Sequence, residues 1–355
     1  MRANSFCFLN IENFLLMLGW LGALIFSSWI LSYGAEHLSM RFGAKFVGRT
    51  LLSVATTLPE IAIVMYAASV GLYEVAIGAG LGSNILMMTL GLALMLLIAT
   101  TRLSKAPLKK IDVSTFKIDK IFLLASALIS AVLLLDGYNF IDGFIFVGMF
   151  VAYVLIAYIE MKREQSANQT AVLQTADNKL VSTHAQVMTS RNDMTKAILA
   201  FIAGTIGIVI AAGPFIHSLQ TFSEDIGVST IVLAVIISPI AGEMPEKISM
   251  MILARKGAAG AAIAIANVLG SKILNNSLLL GVAILAAMYH GGFFTTIHNS
   301  ELLWFQMVLA TSITVVALIP LFRRYIGLRV GILLMALYIL SIVVQFFAPG
   351  EIKPH

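Results

Sequence analysis

The sequence predicts an all-α polytopic membrane protein of about ten transmembrane helices in two inverted five-helix repeats. Of its 355 residues, 59% are hydrophobic and only 12% are charged, too few charges to cover the surface of a soluble core of this size. Single uncharged runs are long enough to cross a hydrocarbon layer of roughly 30 Å, namely residues 13–35, 75–101, 302–322 and 330–350. Two similar polar motifs also recur, one in each half of the chain.

Hydropathy and loop signals define the individual elements. The predicted spans are 13–35, 47–70, 75–100, 120–137, 141–160, 196–217, 228–254, 257–289, 301–322 and 327–348. Residues 161–195 are polar and lack periodicity, which predicts a flexible cytoplasmic linker. This linker separates a first membrane repeat, 1–160, from a second, 196–355. Because no signal-peptide pattern precedes it, we expect the first span to be retained.

Basic residues mark one side of the predicted membrane. Most of the 23 Lys and Arg fall in alternate connections, within 41–49, 102–120, 162–196, 255–256 and 323–329. The other connections, 71–74, 136–142, 217–225 and 290–301, contain none. By the positive-inside rule the basic connections face the cytoplasm and both termini face outward. Orientation thus explains the basic clusters, and we expect lipid but no nucleic acid as a partner.

Five charged residues lie deep inside the predicted spans, well away from the span ends. They are the carboxylates Glu60, Glu243 and Glu246 and the cations Lys247 and Lys272. A charge at bilayer depth costs several kcal/mol or more, so such residues indicate a functional site. The single cysteine, Cys7, excludes a disulfide framework and any Cys-rich zinc or iron–sulfur site.

The intramembrane carboxylates belong to an internal repeat. In the first half, Val54-Ala-Thr-Thr-Leu-Pro-Glu60 is followed 22 residues after the Glu by Gly82-Ser-Asn-Ile-Leu86. In the second half, Ile240-Ala-Gly-Glu-Met-Pro-Glu246 is followed 24 residues after the Glu by Gly270-Ser-Lys-Ile-Leu274. Because each half has an odd number of predicted spans, the second copy enters the membrane from the opposite face. Inverted repeats of this kind are typical of secondary transporters with alternating access.

The repeated residues also predict a local backbone structure. Pro59 and Pro245 lack an amide hydrogen, and Gly-Ser pairs weaken a helix, so we expect four spans to be kinked or opened near the carboxylates. Either feature alone is more often a simple kink or a packing contact. Their joint occurrence in register favours a cation site built of carboxylate, hydroxyl and carbonyl oxygens, the ligands of Ca²⁺, Mg²⁺ and Na⁺.

These motifs resemble those of the cation/calcium exchanger superfamily, which contains sodium/calcium and calcium/proton exchangers. Ala55-Thr-Thr-Leu-Pro-Glu60 with Gly82-Ser-Asn-Ile85 is similar to that family's G-T-S-L-P-E and G-S-N-I signature. The second copy, Ser238 to Glu246 with Gly270-Ser-Lys-Ile273, is more divergent. The resemblance implies an antiporter that exchanges Ca²⁺ or a related cation against Na⁺ or H⁺. It also implies the ligands Thr56, Thr57, Glu60, Ser83, Glu243, Glu246, Ser271 and Asn275.

The chain departs from the family pattern at two positions of the second copy and at one position of the first. Glu243 replaces the serine of T-S-L-P-E, Lys272 replaces the asparagine of G-S-N, and in the first copy Met87 stands where the family often has Asn. Three carboxylates and two lysines give the site a net charge of about −1, which would bind a divalent cation only weakly. We consider two roles for Lys272. Either it pairs with Glu243 and its ammonium replaces a bound cation, or it loses its proton when the cation enters. Lys247 follows Glu246 by one position and should point about 100° away from it.

Two rival functions remain open from the sequence. One is a proton-coupled or monovalent cation exchanger that does not transport Ca²⁺, which Glu243 and Lys272 favour. A channel is the other. An enzyme is disfavoured, because the predicted spans supply no His or Cys pair and no phosphate-binding or nucleophile motif. We therefore expect a secondary transporter with no resident cofactor, in a prokaryotic cell membrane.

Overall fold

The protein is mostly helical. The computed structural model describes residues 2–41, 47–174, 191–345 and 347–348. Among these residues, eight helices are long and apolar enough to cross a membrane. The chain is thus an integral membrane protein.

The helices follow the predicted spans closely in sequence. They are α1 (Arg2–Arg41), α2 (Val47–Ser69), α3 (Tyr73–Leu86), α4 (Leu92–Thr100), α5 (Lys117–Leu133), α6 (Phe140–Gln174), α7 (Arg191–Ile226), α8 (Thr230–Ala254), α9 (Ala258–Leu274), α10 (Leu280–Gly291), α11 (Glu301–Leu321) and α12 (Leu328–Gln345). Two short strands, β1 (Ile111–Asp112) and β2 (Tyr325–Ile326), form an antiparallel pair.

Two predicted spans lie outside the eight apolar helices. Helix α2 corresponds to the span 47–70, and α8 to the span 228–254. Both helices carry carboxylates of the repeat, Glu60 in α2 and Glu243 and Glu246 in α8.

The predicted linker is helical at both of its ends. Helix α6 continues to Gln174, and α7 begins at Arg191. Residues 175–190, and with them most of the linker, lie outside the described residues, as do residues 42–46 of the first basic connection. Helical structure thus continues into both ends of the predicted linker, whose role as a connection between the two repeats stays a prediction. At both ends, apolar helices run on into polar sequence that still contains good helix formers.

Helices α3–α4 and α9–α10 form the buried centre of the bundle. Most residues of Tyr73–Thr100 and Ala258–Gly291 are buried, whereas α1, α6 and α12 expose large apolar side chains as lipid-facing helices do. Small residues permit the closest helix contacts. A Cβ atom added to Gly82 of α3 would lie 2.0 Å from the carbonyl oxygen of Val235 in α8. Similarly, one added to Gly34 of α1 would lie 2.5 Å from the backbone nitrogen of Phe201 in α7.

Each central span contains a π-helical turn at the same place in the repeat. The turns are Met87–Gly91 and Asn275–Leu279, and each begins directly after the Gly-Ser-x-Ile-Leu segment. In both turns a hydroxyl donates to the carbonyl of that isoleucine, Thr89 to Ile85 and Ser277 to Ile273. A π turn replaces the regular i to i+4 bonding by i to i+5 bonding, and in both turns the hydroxyl adds a donor to the isoleucine carbonyl four residues earlier.

The prolines do not open their helices. Helical structure is continuous through Pro59 in α2 and through position 245 in α8, so these two spans are not opened at the prolines, and a kink there stays a prediction. A proline removes one helix hydrogen bond and frees the carbonyl four residues earlier, which a helix tolerates inside a packed membrane bundle. The interruptions lie in the other two spans, one turn beyond Gly-Ser.

Connections that were predicted to share a membrane side lie together. The β1–β2 pair joins the basic connections after α4 and after α11, and the amide of Lys105 donates to the carbonyl of Arg255, 3.1 Å away. On the side without basic connections, Tyr138 forms a β-bridge with Ile297. This pairing agrees with the alternation of basic and non-basic connections.

Candidate cation site

The buried polar side chains form a layer between two apolar clusters. Along α8, residues 231–241 contribute to one cluster and Met250 to the other, and the charged residues of α8 lie between them. Along α9 and α10, the polar residues 271–277 likewise lie between Leu269 and Leu279. The polar layer is therefore closed by apolar packing at both ends of the bundle.

Ser83 is the centre of this layer. Its hydroxyl donates to Glu60 Oε1 over 3.1 Å and also contacts Glu243 Oε1. It accepts from Lys272 Nζ over 3.0 Å and from Asn275 Nδ2 over 2.8 Å. A hydroxyl has one proton and two lone pairs, so the two donors fill its acceptor positions and its proton serves one carboxylate at a time. Through Ser83, side chains from both halves of the chain meet at one atom.

The two carboxylates of the Pro-Glu motifs have equivalent partners. Glu60 contacts Ser83 of its own half, and Glu246 accepts from Ser271 of its own half over 3.3 Å. Glu246 also accepts from Asn267 Nδ2 over 2.8 Å. Each half therefore pairs its carboxylate with the serine of its own Gly-Ser segment.

Glu243 lies between two lysines. Its Oε1 atom contacts Lys272 Nζ, and its Oε2 atom lies 3.9 Å from Lys247 Nζ, one helical turn further along α8. All three side chains are buried, Glu243 and Lys272 completely. The expected pairing of Lys272 with Glu243 is present. Lys272 also donates to the carbonyl of Ser83 over 3.3 Å, so its ammonium is bound by three oxygens.

Several oxygens of the layer have no hydrogen-bond donor. They include Glu60 Oε2, Asn84 Oδ1, Asn275 Oδ1 and Glu243 Oε2, all buried, and the last of these lies 3.9 Å from Lys247 Nζ. Asn84 donates to Asn276, and this pair joins α3 to the second π turn. A buried carboxylate oxygen without a donor is costly unless a cation or a proton neutralises it. The arrangement can therefore bind a cation at Glu60, with amide and hydroxyl oxygens nearby.

The structure brings most of the predicted residues together. Glu60, Ser83, Glu243, Lys272 and Asn275 form one connected group, while Glu246 and Ser271 form a second group with Asn267. Thr56 and Thr57 are buried in the same turn of α2 as Glu60. Among the described residues, no three His, Cys, Asp or Glu side chains form a metal-binding group. One or two carboxylates, completed by neutral oxygens, would have to hold a cation here.

Sequence reasoning missed three amides, those of Asn84, Asn267 and Asn276. The position of each asparagine relative to a predicted ligand could have identified it. Asn267 precedes Ser271 by one helical turn and so shares its face, and Asn84 and Asn276 directly follow the predicted ligands Ser83 and Asn275.

Glycine allows the two halves to approach at the site. A Cβ atom on Gly242 would lie 2.5 Å from Glu60 Cγ. Gly242 stands at the position that Thr56 has in the first copy. Its missing side chain leaves the space that the Glu60 carboxylate uses.

Comparison with known proteins finds a family model and relatives that match most of the chain. The sequence model described as sodium/calcium exchanger protein matches residues 12–159 and 196–347. An uncharacterised membrane protein of Methanocaldococcus jannaschii is 25% identical over 320 residues, which cover 89% of this chain and 92% of that protein.

Two solved structures have a similar fold. The H⁺/Ca²⁺ exchanger CAX has a TM-score of 0.74 and 18% identity, covering 98% of this chain and 88% of its own. The sodium-calcium exchanger NCX_Mj has a TM-score of 0.60 and 21% identity, covering 94% of this chain and 99% of its own. At these identities the likeness concerns the fold.

Proposed function

The chain belongs to the sodium/calcium exchanger protein family, whose members are secondary transporters and not enzymes, and on that premise we propose that it is a cation antiporter. It exchanges Ca²⁺ or a related cation against Na⁺ or H⁺ by alternating access. The cations are its cargo, and the mechanism needs no resident cofactor. The two similar solved structures are named as H⁺/Ca²⁺ and sodium-calcium exchangers, which supports this cargo class.

One observation carries the proposal. Glu60 places a carboxylate oxygen without a donor in a buried layer, beside the Ser83 hydroxyl and close to amides of the opposite half. Burying a carboxylate oxygen without a donor costs free energy in a soluble protein, and the cost is larger inside a membrane. Cation binding neutralises it.

The proposed ligands come from both halves. Glu60 and Glu246 are the two central carboxylates, with oxygens from Thr56, Thr57, Ser83, Glu243, Ser271 and Asn275 around them. Hard cations require such oxygen ligands. Since each carboxylate bonds to the serine of its own half, a cation held between the halves has one carboxylate–serine pair on either side.

We further propose ten transmembrane helices in two inverted repeats of five, with α2 and α8 as the two spans beyond the eight apolar helices. The repeated π turns and the match of the family model to both halves support this arrangement. Both termini face outward from a prokaryotic cell membrane. The grouping of basic connections on one side of the bundle supports this orientation.

Transport into proteoliposomes tests the proposal. Radioactive Ca²⁺ uptake is measured with an outward Na⁺ gradient in one set and an outward H⁺ gradient in another. Uptake driven by either gradient is expected, and Glu60→Gln or Glu246→Gln should abolish it, because each glutamine keeps the size of the side chain but loses its charge. Retained gradient-driven flux in both variants would contradict the site.

A second candidate function is a proton-coupled or monovalent cation exchanger that does not transport Ca²⁺. The Lys272–Glu243 contact favours it, because a lysine in the site repels a divalent cation. Exchange of Na⁺ against H⁺, measured with a pH-sensitive dye in the same proteoliposomes, identifies this function. Absence of Ca²⁺ uptake under both gradients would then select it.

A further inference from the structure

Three buried charged residues distinguish the second copy of the motif from the first. Aligned on Pro-Glu and Gly-Ser, Glu243, Lys247 and Lys272 correspond to Thr57, Ile61 and Asn84. In the first copy these positions carry no charge. In the second they form one contact group, with Glu243 between the two lysines.

We propose that Lys272 is a tethered cation that permanently occupies one cation position of the transport site. This inference rests on the proposed exchange function and specifies its cargo. The ammonium is bound by Glu243 Oε1, Ser83 Oγ and the Ser83 carbonyl, an all-oxygen set from α3 and α8. These are the kinds of ligand that a transported Na⁺ or Ca²⁺ takes.

The bonding of Ser83 shows why a cation is required at this place. Its single proton serves either Glu60 or Glu243, so one of the two carboxylates lacks a hydroxyl donor at any moment. Lys272 neutralises Glu243, which leaves the Ser83 proton for Glu60. The Oε2 atom of Glu60 then remains for the transported ion.

Charge counting gives the consequence for the cargo. The group of Glu243, Lys247 and Lys272 has one negative and two positive charges, a net of +1, against the two negative charges of Glu60 and Glu246. The whole layer therefore has one net negative charge, which one monovalent cation balances. A site with a neutral residue at position 272 would accept one more positive charge.

The test measures how many cations bind when Lys272 is removed. The unfolding midpoint of the full-length protein in detergent is followed as the Na⁺ concentration rises, and separately as the Ca²⁺ concentration rises. Stabilisation by bound ions grows with the logarithm of their concentration, with a slope set by the number bound. For Lys272→Asn we expect this Na⁺ slope to rise by about one ion per protein.

The matched control is Lys247→Ile, which introduces the first-copy residue and changes the charge of the layer by the same amount. It leaves the Lys272 ammonium in place among its three oxygens. Its Na⁺ slope should stay at the wild-type value. If the Na⁺ slope rises equally in Lys247→Ile and Lys272→Asn, only the total charge of the layer matters, and the inference is overturned.

A triple variant keeps the test open if Lys272→Asn fails to fold. Glu243→Thr with Lys247→Ile and Lys272→Asn gives the second copy the residues of the first and leaves no buried charge without a partner in this group. Its slope should also exceed that of the wild type by about one ion. An unchanged slope in the folded variants would overturn the tethered-cation role alone. Gradient-independent flux in the wild type would instead contradict the proposed exchange function.

Discussion

The two copies of the motif share a backbone plan and differ in charge. Each has a proline–glutamate step, a serine bonded to that glutamate, and a π turn whose hydroxyl caps an isoleucine carbonyl. The first copy is otherwise uncharged, whereas the second adds Glu243, Lys247 and Lys272. The features that both copies share therefore set the geometry of the helices. The charges added in the second copy can change which cation is transported without altering the fold.

The largest expected difference between the copies concerns Glu243. Glu243→Gln leaves both Lys247 and Lys272 buried without their carboxylate, and breaking a buried ion pair costs about 3–5 kcal/mol. The equivalent change in the first copy, Thr57→Val, removes a hydroxyl and should cost about 1 kcal/mol. Thermal unfolding in detergent compares them. Similar midpoints for the two variants would show that the lysines do not depend on Glu243.

The second difference concerns the glycines of the Gly-Ser segments. A Cβ atom on Gly82 would meet the backbone of Val235, whereas one on Gly270 would find only Tyr153 Oη, 3.6 Å away. Gly82→Ala should therefore force α3 and α8 apart at a cost of about 1–3 kcal/mol. Gly270→Ala should be neutral or slightly stabilising, because alanine favours the helix. Unfolding midpoints check this, and an equal loss in both variants would contradict the asymmetric packing.

The smallest expected effect tests what the copies share. Thr89→Val and Ser277→Ala each remove the hydroxyl that caps an isoleucine carbonyl in a π turn, and each should cost about 1 kcal/mol. Because the turns have the same bonding, the two midpoints should fall by similar amounts. A loss confined to one half would show that the π turns are not equivalent.

The sequence predicted the site where spacing along one helix or repetition of a motif carried the information. The alignment of the two copies identified Glu60, Ser83, Glu246 and Ser271 as one set, and the structure pairs each carboxylate with its own serine. The contact of Lys247 with Glu243 also follows from an i, i+4 spacing. The prediction for Lys247 gave only its direction relative to Glu246, about 100° away, and did not include its contact with Glu243.

Backbone irregularity was predicted less well. Prolines and Gly-Ser pairs were expected to kink or open four spans. The described structure shows π turns in two of them, beginning after Leu86 and Leu274, and continuous helix through the proline positions of the other two. A proline's effect on a helix depends on whether neighbouring helices satisfy the freed carbonyl, which local sequence does not specify. Extension of α6 and α7 into the predicted linker likewise reflects helix propensity that persists beyond the apolar run.

The sequence by itself determined that this chain is a membrane protein and approximately which residues form its helices. It also determined which residues of the two motifs correspond to each other. These features depend on composition, hydropathy and a repeated pattern, all of which are properties of the linear chain. Only the tertiary structure decided that Ser83 bonds to side chains from both halves, that Lys272 rather than a free ion sits beside Glu243, and that Asn84 pairs with Asn276. The contacts between the two halves join residues more than 150 positions apart, and even Lys272 and Glu243 lie on different helices, 29 positions apart. Their geometry depends on how closely glycines such as Gly82 let the helices approach.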